Sequence, residues 1–240
     1  MTDDKAKMIE RVRKLLALSQ STNQHEAELA AERASKLMEE YQIQFADLEL
    51  NQIRTGAEPI VEEHFQVDGL KMKLHWVGQV GYACALLYDG TILVHSGLWG
   101  TSFTFVGFKS DIPMMKTLFT HLYHAWGGIV EHDLQQAKNQ SYHTWAPRDT
   151  MKYKHGHGQG YAQALVRRCW EIAQQRKVKL EATSNSCTAL VLVRDQAIVE
   201  WKKKKGCKPA KLNQTKGASD GFSAGYRSGQ NVALGGAIEG

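Results

Sequence analysis

The stretch TILVHSGLWGTSFTFVGFKSDIPMMKTLFTHLYHAWGGIVEH, residues 91–132, decides the fold class, because its hydrophobic period changes partway along. Ile92, Leu93 and Val94 form a short apolar run and Gly97 to Gly100 supplies a reversal. Ser102 to Phe108 then alternates Phe103, Phe105 and Gly107 against Thr104, Val106 and Phe108. That pattern predicts two antiparallel strands joined as a hairpin. After Lys109 the period becomes helical. Ser110 and Asp111 stand where a cap is wanted, and Pro113 falls in the first turn, where its missing amide hydrogen does no harm. Met115, Leu118, Phe119, Leu122, Trp126, Ile129 and Val130 wind onto an arc of about 120°. The expectation is an α+β fold dominated by helices, with a small antiparallel hairpin sheet packed on long helices.

Moving towards the N-terminus, Asp89-Gly90 is a turn dipeptide, and Trp76 to Leu87 is apolar enough for a buried helix. The polar stretch Asn51 to Pro59 reads as a domain boundary, preceded by a short helix over Phe45 to Leu50. Before it, Ile9, Val12, Leu15 and Leu16 recur at helical spacing. Asn23 and Glu26 have the form of a capping box. The next helix carries a narrow line of Ala27, Ala30, Ala34, Leu37, Met38 and Tyr41. The short connection makes these two helices an antiparallel hairpin. Two domains follow, residues 1–50 and residues 66–240.

Towards the C-terminus, a loop over Gln140 to Thr150 leads to a helix whose face is Tyr161, Ala162, Leu165, Val166, Cys169, Ile172 and Ala173. Leu190 to Trp201 is read as a further helix, followed by a basic loop from Cys207 to Gly217. The last helix, Asp220 to Leu234, spaces Gly221, Gly225 and Gly229 by four on one face, which predicts close approach of a neighbouring helix.

Hydrophobic residues at 42% and charged residues at 23% of 240 match a packed globular chain. No apolar run of about 18 residues and no leader-like N-terminus is found, and the four cysteines lie far apart. Free thiols in the cytoplasm, with no membrane partner, are therefore expected. The formal charge of +5 hides a gradient. Residues 1–65 carry a net −5, residues 66–150 balance, and residues 151–240 carry +10. A basic pole of this kind suits phosphate binding through counterion release, although a solvated surface has the same composition.

The segment KMIERVRKLLALSQSTNQHEAELAAERASKLMEEYQI combines an R-V-R-K-L-L-A-L helix, an S-x-N-x-H-E-A junction and an alanine-rich helix ending in Y-x-I. It resembles the bacterial and phage family called domain of unknown function 2786. F-V-G-F-K-S-D at Phe105 to Asp111 and the closing D-G-F-S-A-G-Y-R-S-G-Q-N-V-A-L resemble the module that commonly follows that domain. The resemblance implies a cytoplasmic protein of a bacterium, prophage or mobile element, and it carries over no activity and no functional residues.

Three constellations bear on chemistry. His121, His124 and His132 share the polar side of the long helix, but His121 and His132 stand about 16 Å apart along the axis, so they cannot share an ion. His155-Gly156-His157-Gly158-Gln159-Gly160 reads as a loop leading into a helix. Gly156, Gly158 and Gly160 are its anion-binding candidates, because glycine amides at a helix start can cradle a phosphate. His155 and His157 are the candidates for a divalent metal, otherwise no cofactor is expected. Lys202, Lys203, Lys204 and Lys205, continued by Lys208, Lys211 and Lys216 and joined by Arg227, are the candidates for gripping a DNA or RNA backbone. Tyr142, Trp145, Lys152, Tyr153 and Lys154 interleave rings with charge, as single-strand binders do. No diagnostic catalytic motif is present. The leading expectation is thus an accessory nucleic-acid-binding protein. The alternatives are an enzyme acting on a phosphate-bearing substrate at Gly156 to Gly160, and a protein-interaction module that docks through the acidic N-terminal hairpin.

Overall fold

The structure is a computed structural model and describes residues 3–20, 24–65, 75–97, 100–141, 144–207 and 219–234. Asn23 and Tyr142 lie outside the described residues. In chain order the elements are α1 (Asp3–Leu18), α2 (Gln24–Glu40), α3 (Phe45–Arg54), β1 (Ile60–Phe65), α4 (His75–Leu86), β2 (Thr91–Gly97), β3 (Gly100–Phe108), α5 (Ile112–Asn139), α6 (Pro147–Thr183), α7 (Asn185–Lys204) and α8 (Ser219–Asn231). The chain divides into two compact units, Met1–Pro59 with Lys177–Gln196, and Ile60–Arg176 with Ala197–Gly240. Among the described residues no helix is long and apolar enough to cross a membrane.

In the first unit, α1 and α2 pack as the expected hairpin. The Lys5 ammonium at the start of α1 donates to the Gln42 carbonyl just past α2, which fixes the antiparallel sense. Their core is Ile9, Val12 and Ala34 with Ile43 and Leu48. Tyr41, expected on the buried line, is exposed. The cause lies in how α2 ends. Gln42 takes a left-handed conformation (φ 50°). Its amide then bonds back to Glu39 and that of Ile43 to Met38, so the chain turns Ile43 inward instead. α3 begins with a reciprocal cap in which Asp47 accepts from the Gln44 amide at 2.9 Å. Its other face packs with the start of α7 through Ala46, Leu50, Cys187 and Leu190.

The second unit is built on an antiparallel sheet of order β1-β3-β2. The predicted hairpin is β2–β3. The sequence reading missed β1, and the reason is visible in its role. An edge strand tolerates charge, so Ile-Val-Glu-Glu-His-Phe lacks the apolar density that signals a strand. Val61 and Phe65 turn towards the core with Phe103, Phe105 and Ile92. Glu63, on the same side, pairs with Lys116 of α5, whose ammonium also lies over the Phe65 ring. α4 and α5 cover this side of the sheet, burying Trp76, Phe103, Phe105, Phe119 and Leu122. Each such side chain contributes about 1.5–3 kcal/mol relative to exposure. Asp111 is the N-cap residue of α5, but its φ of −86° and ψ of −24° are already helical, and its carboxylate makes no capping hydrogen bond.

Candidate functional site

The long helix α6 begins at Pro147, so His155 to Gly160 is not a loop. This corrects the expectation of an anion cradle. Gly156, Gly158 and Gly160 sit two turns or more inside the helix, where their amides are committed to the helical ladder and do not point outward. What Gly158 and Gly160 provide is proximity, Gly158 to the Trp76 ring and Gly160 to α8. A Cβ on Gly160 would stand 2.8 Å from the Tyr226 amide nitrogen and 2.9 Å from the Phe222 carbonyl carbon of α8.

The approach is mutual. Tyr153, His157 and Tyr161 recur every fourth residue along α6 and face Gly221, Gly225 and Gly229 of α8 in the same order. A Cβ at Gly225 would stand 2.6 Å from the His157 carbonyl carbon, and one at Gly229 would stand 2.5 Å from the Tyr161 carbonyl oxygen. The glycine stripe is therefore a packing feature, as its spacing predicts. Arg168 completes the joint by donating to the Val232 carbonyl at 2.6 Å, beyond the last turn of α8.

A polar node lies at this crossing. The Asp133 carboxylate of α5 accepts from His157 Nε2 at 2.9 Å and from the Ser228 hydroxyl of α8 at 3.0 Å. The indole N–H of Trp126 donates to His157 Nδ1 at 3.1 Å. That bond sets the tautomer, because Nδ1 must be an acceptor and Nε2 carries the proton. Burial holds the imidazole below its ordinary pKa against the opposing pull of Asp133. Burial would raise the Asp133 carboxyl, but hydrogen bonds from His157, Ser228 and His132 outweigh it and leave the group lowered. Serine and histidine both donate to the same carboxylate oxygen, so no base is placed to activate the hydroxyl. The node ties three helices together.

His155 and His157 do not converge on a metal. Two residues apart in a helix they point about 200° from each other. His157 is fully buried beside Asp133, whereas His155 is partly buried, lowered by burial and then by His75, and contacts Gln159. His121, His124 and His132 are exposed along α5. Among the described residues no group of three or more His, Cys, Asp or Glu side chains is placed to hold a metal ion. An open cleft of about 210 Å³ between α6 and α8 is lined by Arg167, Arg168, Glu171 and Tyr226. Its cations are already engaged, Arg168 by α8 carbonyls and Arg167 by Glu171.

The lysine tract forms the end of α7. Lys202 is partly buried and its pKa is lowered by that burial. Lys203 and Lys204 are exposed, and no ion pair engages either among the described residues. Lys205 pairs with Glu62 at 2.7 Å and lies over the Trp201 ring. The turn is firmly ended, because Gly206 takes φ 62° while the Cys207 amide bonds to the Lys202 carbonyl at 3.0 Å and the Gly206 amide to that of Lys203 at 3.1 Å. This is the doubly bonded helix terminus that glycine favours. Arg227 is exposed on α8. Lys208, Lys211 and Lys216 lie outside the described residues.

A further cluster, which needs β1 to be recognised, is formed by His64, Thr104 and His95 on the side of the sheet turned away from α4 and α5. The protein is thus a helix-dominated α+β molecule with a helical N-terminal hairpin and a three-stranded antiparallel sheet. Its residues 7–44, which span most of α1 and all of α2, match the family model described as "Protein of unknown function (DUF2786)". No curated protein and no solved structure matches the chain.

Proposed function

We propose that this is an accessory nucleic-acid-binding protein of a bacterium, phage or mobile element, acting in the cytoplasm and gripping the phosphate backbone without reading bases. The observation that carries the reading is the end of α7, where Lys203 and Lys204 are exposed on a fixed turn with no ion pair among the described residues. Lysines here also complement the negative end of the helix dipole. The +10 balance of residues 151–240 supports the same reading. Replacing both residues (Lys203→Glu, Lys204→Glu) should weaken binding to unrelated DNA and RNA sequences alike, while circular dichroism stays unchanged. Unaltered affinity in that variant would remove the assignment.

A second reading has one specific observation behind it. Phe45 is 71% exposed at the start of α3, close in sequence to the exposed Tyr41. A large apolar ring held in water at the end of the matched hairpin region fits a protein-docking surface. Phe45→Ser should then abolish co-purification of a defined partner without changing nucleic-acid affinity.

A further inference from the structure

We propose that His64 and His95 form a binding site for one divalent transition-metal ion on the side of the sheet turned away from α4 and α5. His64 of β1 is the direct cross-strand partner of Thr104 on the central strand β3. His95 of β2 is paired with Ser102, two residues along the same face. Side chains two apart on a strand share a face, so the register alone places both imidazoles beside Thr104.

The side chains converge on one point. His95 Nε2 lies 2.9 Å and His64 Nδ1 3.4 Å from the Thr104 hydroxyl oxygen. The hydroxyl donates to one ring and accepts from the N–H of the other, and a change of tautomer at the second ring turns both lone pairs to the same place, where one metal ion accepts both. The ring centroids are 5.9 Å apart. Two imidazoles on one ion at a metal–nitrogen distance of about 2.0–2.1 Å hold their centroids roughly 4.5 Å apart at a right angle and about 6.4 Å apart when opposed. The observed spacing falls within that range before any side chain moves. Both rings are exposed while Thr104 beneath them is 7% exposed, so the ion can reach the nitrogens from solvent against a fixed floor.

The donor set defines the ligand class. Imidazole suits zinc, copper and nickel, and gives no purchase to magnesium or calcium, which take oxygen. Glu62, two residues from His64 on the same face of β1, is held by Lys205 at 2.7 Å. Among the described residues the protein therefore supplies two nitrogens and one hydroxyl, and leaves positions open to water or to a donor on another molecule. The inference does not depend on nucleic-acid binding.

The test is isothermal titration of the untagged full chain with zinc chloride, then copper and magnesium chlorides, alongside His64→Ala and His95→Ala. The chain has ten histidines, so the variants carry the assignment. One zinc per chain is expected, copper binding more tightly and magnesium giving no heat. Each substitution should weaken zinc by more than about tenfold, since even outer-shell partners of a metal site carry that much. Because both side chains are exposed, the fold should survive, and His64→Gln with His95→Gln serves as a gentler pair if an alanine variant does not. No zinc binding by the unaltered chain, or wild-type zinc affinity in both variants, overturns the proposal.

Discussion

Gly225→Ala tests the crossing of α6 and α8 at its tightest described point. The added methyl would stand 2.6 Å from the His157 carbonyl carbon and 2.8 Å from its Cα, with the carbonyl oxygen closer still. Carbon contacts settle near 3.5–4.0 Å, so α8 must withdraw by about 1 Å. Both sides of the clash are backbone, and no side-chain rotation relieves it. Withdrawal costs roughly 1–3 kcal/mol in forced repacking. It also stretches the Ser228 to Asp133 hydrogen bond from 3.0 Å, a bond to a charged group worth about 1.5–3 kcal/mol. Alanine returns about 1 kcal/mol through its better helix propensity. The net loss of about 1.5–5 kcal/mol corresponds, for a chain of this size, to a fall in melting temperature of roughly 3–20 °C. Thermal denaturation followed by circular dichroism measures it directly. A variant melting within about 2 °C of the unaltered protein would refute the reasoning, because no close approach of the two backbones could then exist.

Gly127→Ala and Gly128→Ala in the middle of α5 are the complementary case. A Cβ at either position meets nothing within 4 Å, so each should raise stability by about 0.5–1 kcal/mol in urea denaturation. The node at His157 makes stability depend on pH. Its imidazole is held below the ordinary 6.5, so as pH falls through about 6.5 the unfolded chain binds a proton that the folded chain refuses. Stability should drop in that window, and Asp133, held below the ordinary 3.8, adds a second loss at lower pH. His157→Gln should shrink the first phase of urea midpoint against pH to what His155, also lowered by burial, contributes, and should weaken the second, because His157 is the foremost hydrogen bond holding Asp133 down. Of the thiols, Cys84 and Cys169 are buried in the core, and burial pushes Cys84 up and Cys169 to about 12. In the native protein a disulfide reagent should therefore modify Cys207, which is partly exposed, well before either of them.

The parts of this fold legible in sequence are those where one local pattern suffices. The β2–β3 hairpin, the apolar arc of α5 and the alanine-lined hairpin of α1 and α2 all announce themselves through period. β1 does not, because an edge strand with Glu62, Glu63 and His64 at its centre carries no apolar alternation, and its register appears only once β3 is beside it. With β1 hidden, the convergence of His64 and His95 is hidden as well. Alternating glycines at 156, 158 and 160 read as loop because glycine weakens an isolated helix by about 1 kcal/mol each. Tertiary contact reverses that preference, since α8 needs Gly160 as α6 needs Gly225. The stripe at Gly221, Gly225 and Gly229 predicted a close neighbour, but nothing local identified it as the Tyr153, His157 and Tyr161 line. The lysine tract was legible as charge. Its division into exposed Lys203 and Lys204, partly buried Lys202 and paired Lys205 depends on Glu62 and on the turn at Gly206.

The most direct test of phosphate-backbone binding is a salt series of fluorescence anisotropy with labelled single- and double-stranded DNA and RNA. For two to four lysines reaching phosphate, the logarithm of the association constant should fall against the logarithm of salt concentration with a slope of about −2 to −4 on duplex DNA. Removing Lys203 and Lys204 should flatten that slope by about 0.9 for each. No binding at low salt, or a slope that both substitutions leave unchanged, would contradict the assignment of the α7 terminus to nucleic acid.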